Sequence, residues 1–142
     1  KGSGVRVAVL DTGIDKTHPM LQGKVVAERD FTSSGSTADD CLHGTHVAGI
    51  VAGSKASGGT YDGVAPDAQL LNAKVIAKTP EGGCSGKVDY IIAAIGWALD
   101  PDNNQATDDG AKVISMSLGG KGNTSTSLES ELKAAVAKLH KV

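Results

Sequence analysis

Val5 to Leu10 (VRVAVL) is a short run of β-branched and apolar residues closed by Asp-Thr-Gly, which predicts a buried strand ending at once in a turn. Lys24 to Phe31 is a second strand candidate, and Leu70 to Ile76 a third. Ser33 to Thr37 and Ser54 to Gly63 read as loops from their Gly and Ser content. His43 to Gly53 alternates small and apolar residues without strand-like polarity, and reads as a small-residue helix packed closely on a sheet. Val88, Ile91, Ile92, Ile95 and Leu99 recur at helical spacing and form a one-faced apolar stripe. Leu128, Leu132, Val136 and Leu139 repeat it, with Thr126 and Glu129 at the spacing of a capping box. Between these helices Lys112 to Leu118 reads as a strand running into Gly119-Gly120.

Strand and helix thus alternate four times. The expectation is an α/β fold, a mostly parallel β-sheet with helices on both faces, joined by right-handed crossovers. The 142 residues, 39% of them hydrophobic, can fill one core, and no repeat or domain-length linker divides them. Nineteen glycines against four aromatics (Phe31, Tyr61, Tyr90, Trp97) fit tight turns and close layers. Fourteen Lys and Arg oppose sixteen Asp and Glu, so the net charge of −2 offers no footprint for nucleic acid or an anionic membrane. No apolar run reaches the length of a membrane span, and no signal-peptide pattern opens the chain. Cys41 and Cys84 allow one disulfide and rule out a cysteine-only zinc site. The last helix reaches the chain end with no strand after it, so the 142 residues read as a piece of a longer domain.

Ligands of open parallel sheets sit beyond the carboxyl ends of the strands. Asp11 closes the first strand, Ser117-Leu118-Gly119 closes a later one, and His43 opens a helix after a loop. A buried carboxylate on one imidazole nitrogen fixes the tautomer and frees the other nitrogen as a base. Singly, Asp11 reads as a turn cap and His43 as a helix cap. His43 and His46 could share a metal on a helix face, but no third ligand has matching spacing. Asp100, Asp102, Asn104, Asp108 and Asp109 form an oxygen-rich insertion. Its Asp-x-Asp-x-Asn opening resembles a calcium loop but lacks the Gly at position six and the Glu at position twelve.

Val9-Leu10-Asp11-Thr12-Gly13-Ile14-Asp15 followed by His18-Pro19 resembles the segment around the catalytic Asp of subtilisin-like serine proteases, the subtilases. His43-Gly44-Thr45-His46-Val47-Ala48-Gly49 is similar to their catalytic-His signature. Gly63-Val64-Ala65-Pro66 and Ser115-Met116-Ser117-Leu118-Gly119-Gly120 continue the match in order. The resemblance implies that residues 1–142 are the N-terminal portion of a subtilisin-like peptidase domain. Asp11 then orients, His43 is the general base, and a peptide substrate lies on Ser117, Leu118 and Gly119. Gly83, Cys84 and Ser85 match the loop on the substrate's other side.

The departures are as informative. The family's nucleophile lies in a Gly-Thr-Ser motif, and none occurs here; Gly122-Asn123-Thr124 follows the edge strand too closely to be the oxyanion segment. The resemblance therefore implies a chain that is inactive alone, whose partners are a peptide or protein substrate and the C-terminal remainder of its own domain. Met20 stands where many subtilases have an Asp calcium ligand, which moves the expected calcium to Asp100, Asp102, Asn104 and Asp108. No cofactor is required for the chemistry. The resemblance also brings Cys41 and Cys84 to opposite lips of one groove, implying a disulfide between them and a secreted, extracellular protein. Two other readings stand beside it: a non-catalytic, peptide-binding subtilase remnant, and an aspartic protease, whose active-site triplet Asp11-Thr12-Gly13 also resembles. The latter fold is almost all β, against two one-faced helices here.

Overall fold

In a computed structural model describing residues 1–57, 59–120 and 126–139, strand β1 (Arg6–Asp11) lies between two parallel neighbours. β3 (Gln69–Lys74) pairs along its whole length and β6 (Val113–Ser115) along its middle. β2 (Val25–Asp30) flanks β3, also parallel, and the order is β2-β3-β1-β6.

Successive side chains of a strand face opposite sides, and here both sides are covered. Val7, Val9 and Leu70 pack with Val47, Ala48 and Ala52 of α1 (Gly44–Ala52). Ala8, Leu10, Leu71 and Ala73 pack on the other face, with Ala94, Ile95, Trp97 and Ala98 of α2 (Val88–Leu99) and Ala135 of α3 (Thr126–Leu139). Each fully buried Leu or Ile contributes about 1.5–3 kcal/mol. Alanines at Ala8, Ala48, Ala52, Ala73, Ala94 and Ala98 are wholly buried, so the layers close without large rings. Phe31 and Trp97 supply the one aromatic contact among the described residues, edge-on at 5.9 Å.

The elements differ from expectation in four places. Between β1 and β2 there is no α-helix, only a loop with a 3-10 turn at Pro19–Leu21, so the alternation is less regular than the sequence pattern predicts. The Gly-rich stretch around Gly83 holds a short antiparallel pair, β4 (Ile76–Lys78) with β5 (Cys84–Gly86). The strand expected over Lys112 to Leu118 pairs only over Val113–Ser115. In α3, Thr126 is already the first helical residue rather than the residue before the helix, and Glu129 pairs with Lys133 at 2.7 Å. There Ala135 is buried while Val136 is half exposed; the Leu139 side chain and residues 140–142 lie outside the described residues.

Candidate active site

Asp11 is the last residue of β1 and is fully buried. One carboxylate oxygen, Oδ1, accepts the Thr12 N–H at 2.7 Å and lies 2.7 Å from Nδ1 of His43. The imidazole is half exposed, and His43 is the N-cap residue of α1. A carboxylate on Nδ1 selects the tautomer that donates there, leaving the Nε2 lone pair available for a proton. Oδ2 of Asp11 is buried without a hydrogen-bond partner among the described residues. This approach of helix to strand depends on glycine. A Cβ on Gly44 would lie 2.1 Å from the Gly13 carbonyl oxygen, and one on Gly13, at φ +101°, 2.5 Å from that of Thr37.

The His43 loop is held by a residue that the motif reading passes over. Asp39 Oδ1 accepts the Thr12 hydroxyl at 2.7 Å, Leu42 N–H at 2.9 Å and Cys41 N–H at 3.1 Å; Oδ2 accepts Thr45 N–H at 2.9 Å. The Thr12 hydroxyl in turn accepts the Gly44 N–H at 2.8 Å. Burial pushes the Asp39 carboxyl up, but hydrogen bonds from Thr45, Thr12 and Cys41 outweigh it and hold it below the ordinary carboxylate value. An acidic residue just before a helix is the sequence signal that could have found it.

Cys41 and Cys84 are joined by a disulfide with Cα atoms 6.4 Å apart, tying the loop before α1 to β5. On the same loop, Asp40 lies 2.9 Å from the buried Lys74 ammonium, which also donates to the Ala38 carbonyl at 2.7 Å.

Of the other residues singled out in the sequence, Cys84 and Ser85 are exposed on β5, and Gly83 precedes them. Ser117, Leu118 and Gly119 follow the edge strand β6 outside its ladder, with Leu118 half-buried against the α2 side of the core. In the insertion the structure groups Asp100 and Asp102 with Asp109, one ligand atom of each within 4.8 Å of the others. Asn104 gives its backbone N–H to Asp100 and Asp102, while Asp108 turns to Lys112 at 2.7 Å. His46 belongs to no cluster of three metal-ligating His, Cys, Asp or Glu side chains among the described residues. A cavity of about 1060 Å³ opens beside α1, lined in part by Met20, Leu42, His46, Ile50, Tyr61 and Val64; neither Asp11 nor His43 lines it.

A mostly parallel sheet covered on both faces, with a buried carboxylate 2.7 Å from an imidazole at the carboxyl end of an interior strand, places the chain in the layered α/β class. The Subtilase family model matches residues 2–141, and the chain belongs to that family. It is 40% identical over 141 residues to the major intracellular serine protease of Bacillus subtilis (strain 168), covering 96% of this chain and 39% of that protein. Thermitase of Thermoactinomyces vulgaris is 38% identical over 121 residues, covering 84% of this chain and 39% of that protein. Among solved structures, a psychrophilic protease superposes with a TM-score of 0.80 at 36% identity, over 96% of this chain and 43% of the other. Fervidolysin from Fervidobacterium pennivorans, described as a keratinolytic enzyme related to subtilisin, gives 0.74 at 36% identity, over 96% and 20%. The chain spans about two fifths of the length of curated relatives it matches, such as the major intracellular serine protease of Bacillus subtilis (strain 168) and the intracellular serine protease of Paenibacillus polymyxa. No helix among the described residues is long and apolar enough to cross a membrane.

Proposed function

We propose that the chain is the N-terminal portion of the catalytic domain of a subtilisin-like serine endopeptidase, supplying Asp11 and His43 of an Asp-His-Ser triad. The observation that carries this reading is the 2.7 Å contact between buried Asp11 Oδ1 and His43 Nδ1. In the reaction, Nε2 of His43 takes the proton of a serine hydroxyl as that oxygen attacks the substrate carbonyl, then returns it to the leaving amine. Asp11 keeps the ring oriented and stabilises the imidazolium. The serine and the oxyanion-hole Asn lie outside these 142 residues, so the chain alone is inactive. A non-catalytic, peptide-binding remnant is the second reading; the exposed imidazole held on a buried carboxylate favours the enzyme over it.

The substrate is an extended peptide. Ser117, Leu118 and Gly119 continue the chain from edge strand β6, whose last pair is Ser115 with Val9, two residues before Asp11, and this supports them as the segment on which the peptide lies. Gly83, Cys84 and Ser85 flank it, anchored to the His43 loop through the disulfide. The Asp100, Asp102 and Asp109 carboxylates fit a structural Ca²⁺: hard oxygen donors, with Asp109 Oδ1 buried and without a hydrogen-bond partner among the described residues. Asp108 is not in this set, because Lys112 holds it. The disulfide supports a secreted protein, since such bonds persist in oxidising compartments. Protease activity confined to the cell contents of the source organism would contradict secretion.

The test of the catalytic reading is hydrolysis of an extended chromogenic peptide by the full-length parent. His43→Ala is expected to lower kcat by at least about 10⁴-fold. Retention of activity within about tenfold of wild type removes His43 from the mechanism.

A further inference from the structure

We infer that Asp39 is a positioning residue for the Asp11–His43 pair, gripping the backbone on both sides of His43 and fixing it to the residue after Asp11. The inference rests on the proteolytic reading and deepens it. On the amino side of His43, the Leu42 N–H donates to Asp39 Oδ1 at 2.9 Å; on the carboxyl side, the Thr45 N–H donates to Oδ2 at 2.9 Å. Thr12 closes the ring. Its hydroxyl donates to Asp39 at 2.7 Å and accepts the Gly44 N–H at 2.8 Å, so one side chain joins the end of β1 to the first turn of α1.

This ring sets the ring-to-carboxylate distance from outside the pair. The backbone of Leu42 lies at φ +63°, a conformation that non-glycine residues adopt at a cost, and the Asp39 bonds flank it. α1 has no acidic residue in its first turn; Asp39 supplies the negative charge there from the preceding loop. The groups hydrogen-bonded to Asp39 are all donors, which a carboxylate accepts throughout. An amide at this position would turn its own N–H₂ toward one of them, so Asp39→Asn nearly conserves volume and still breaks the grip. Thr12→Val breaks the same ring from the other end without altering charge.

The experiment measures kcat and KM on one extended peptide, and the rate of labelling by a serine-directed phosphonate, in the folded full-length enzyme. Asp39→Asn and Thr12→Val are each expected to lower kcat and the labelling rate about 10²-fold, the scale of an ångström of misplacement, with KM within about threefold. The double variant is expected to fall no further than the worse single one, and Thr12→Ser to restore most of the rate. Should Asp39→Asn fail to fold, the Thr12→Val and Thr12→Ser pair decides alone. Wild-type kcat in either folded variant overturns the inference, as does an additive loss of about 10⁴-fold in the double variant. A wild-type enzyme that neither cleaves nor labels overturns the proteolytic reading instead.

Discussion

Lys74 and Asp40 form an ion pair that is buried at one end only: the ammonium is 1% exposed and the carboxylate 34% exposed, 2.9 Å apart. The asymmetry sets the order of two mutational costs. Asp40→Ala leaves a buried cation with the Ala38 carbonyl alone, and is expected to cost about 3–5 kcal/mol. Lys74→Met leaves a carboxylate that water can reach and refills the core with an apolar chain, at less than about 2 kcal/mol. Urea unfolding of the two variants checks the order; Lys74→Met as the costlier change would contradict it.

A second expectation concerns acid. Burial pushes the Asp30 carboxyl up, but bonds from Thr32, Ser34 and Gly35 outweigh it and hold it below the ordinary 3.8. Asp39 behaves in the same way. A lowered folded value means stability that is present above about pH 4 and lost as the pH falls through the folded value. Asp30→Asn is therefore expected to lower Tm at pH 7 and to converge on wild type near pH 2. A difference in Tm independent of pH would contradict this.

The Cys41–Cys84 bridge closes 43 residues that include α1 and β3. Loop closure of this length contributes up to about 4 kcal/mol through the unfolded chain. Cys41→Ser with Cys84→Ser is expected to lower stability on that scale, and thiol titration of the unreduced wild-type chain in denaturant to find no free sulfhydryl. Two titrating thiols would show that the bond does not form.

Calcium is expected to raise Tm, with Asp109→Asn abolishing most of the increment and Asp108→Asn, whose carboxylate Lys112 already holds, sparing it. Thermal melts with Ca²⁺ and with chelator decide. An identical Tm in both makes the insertion a solvated loop.

The sequence was most readable where one physical constraint acts on a short segment. β1 shows as Val7 to Leu10 because both its faces are buried, and α2 because its apolar stripe meets one core. Asp11 and His43 alone read as caps, and they are visible as a pair through the motifs around them, each a short local segment that resembles the family's. β5 was hidden because its residues are exposed and lie in a glycine-rich stretch, with no alternation for burial to impose, and β4 shows only as its partner. The stripe of α3 slipped by one residue from Val136 to Ala135: the small alanine takes the buried place on a helix whose main neighbour is α2. Lys74 acts through a partner 36 residues away, so no pattern along the chain announces it. Asp39 carries the local signal of an acidic residue before a helix, but its bond to Thr12, 27 residues away, is invisible in that signal.

The central claim is that Asp11 and His43 activate a serine lying outside residues 1–142. Its most direct test is mass spectrometry after treatment with a serine-directed phosphonate. Full-length parent protein is expected to gain one adduct, mapped to a serine beyond residue 142. His43→Ala protein and the 142-residue chain alone are expected to gain none, because the hydroxyl loses its base in the first and is absent from the second. An adduct on any serine of the isolated chain, Ser117 included, or undiminished labelling of His43→Ala, would contradict the claim.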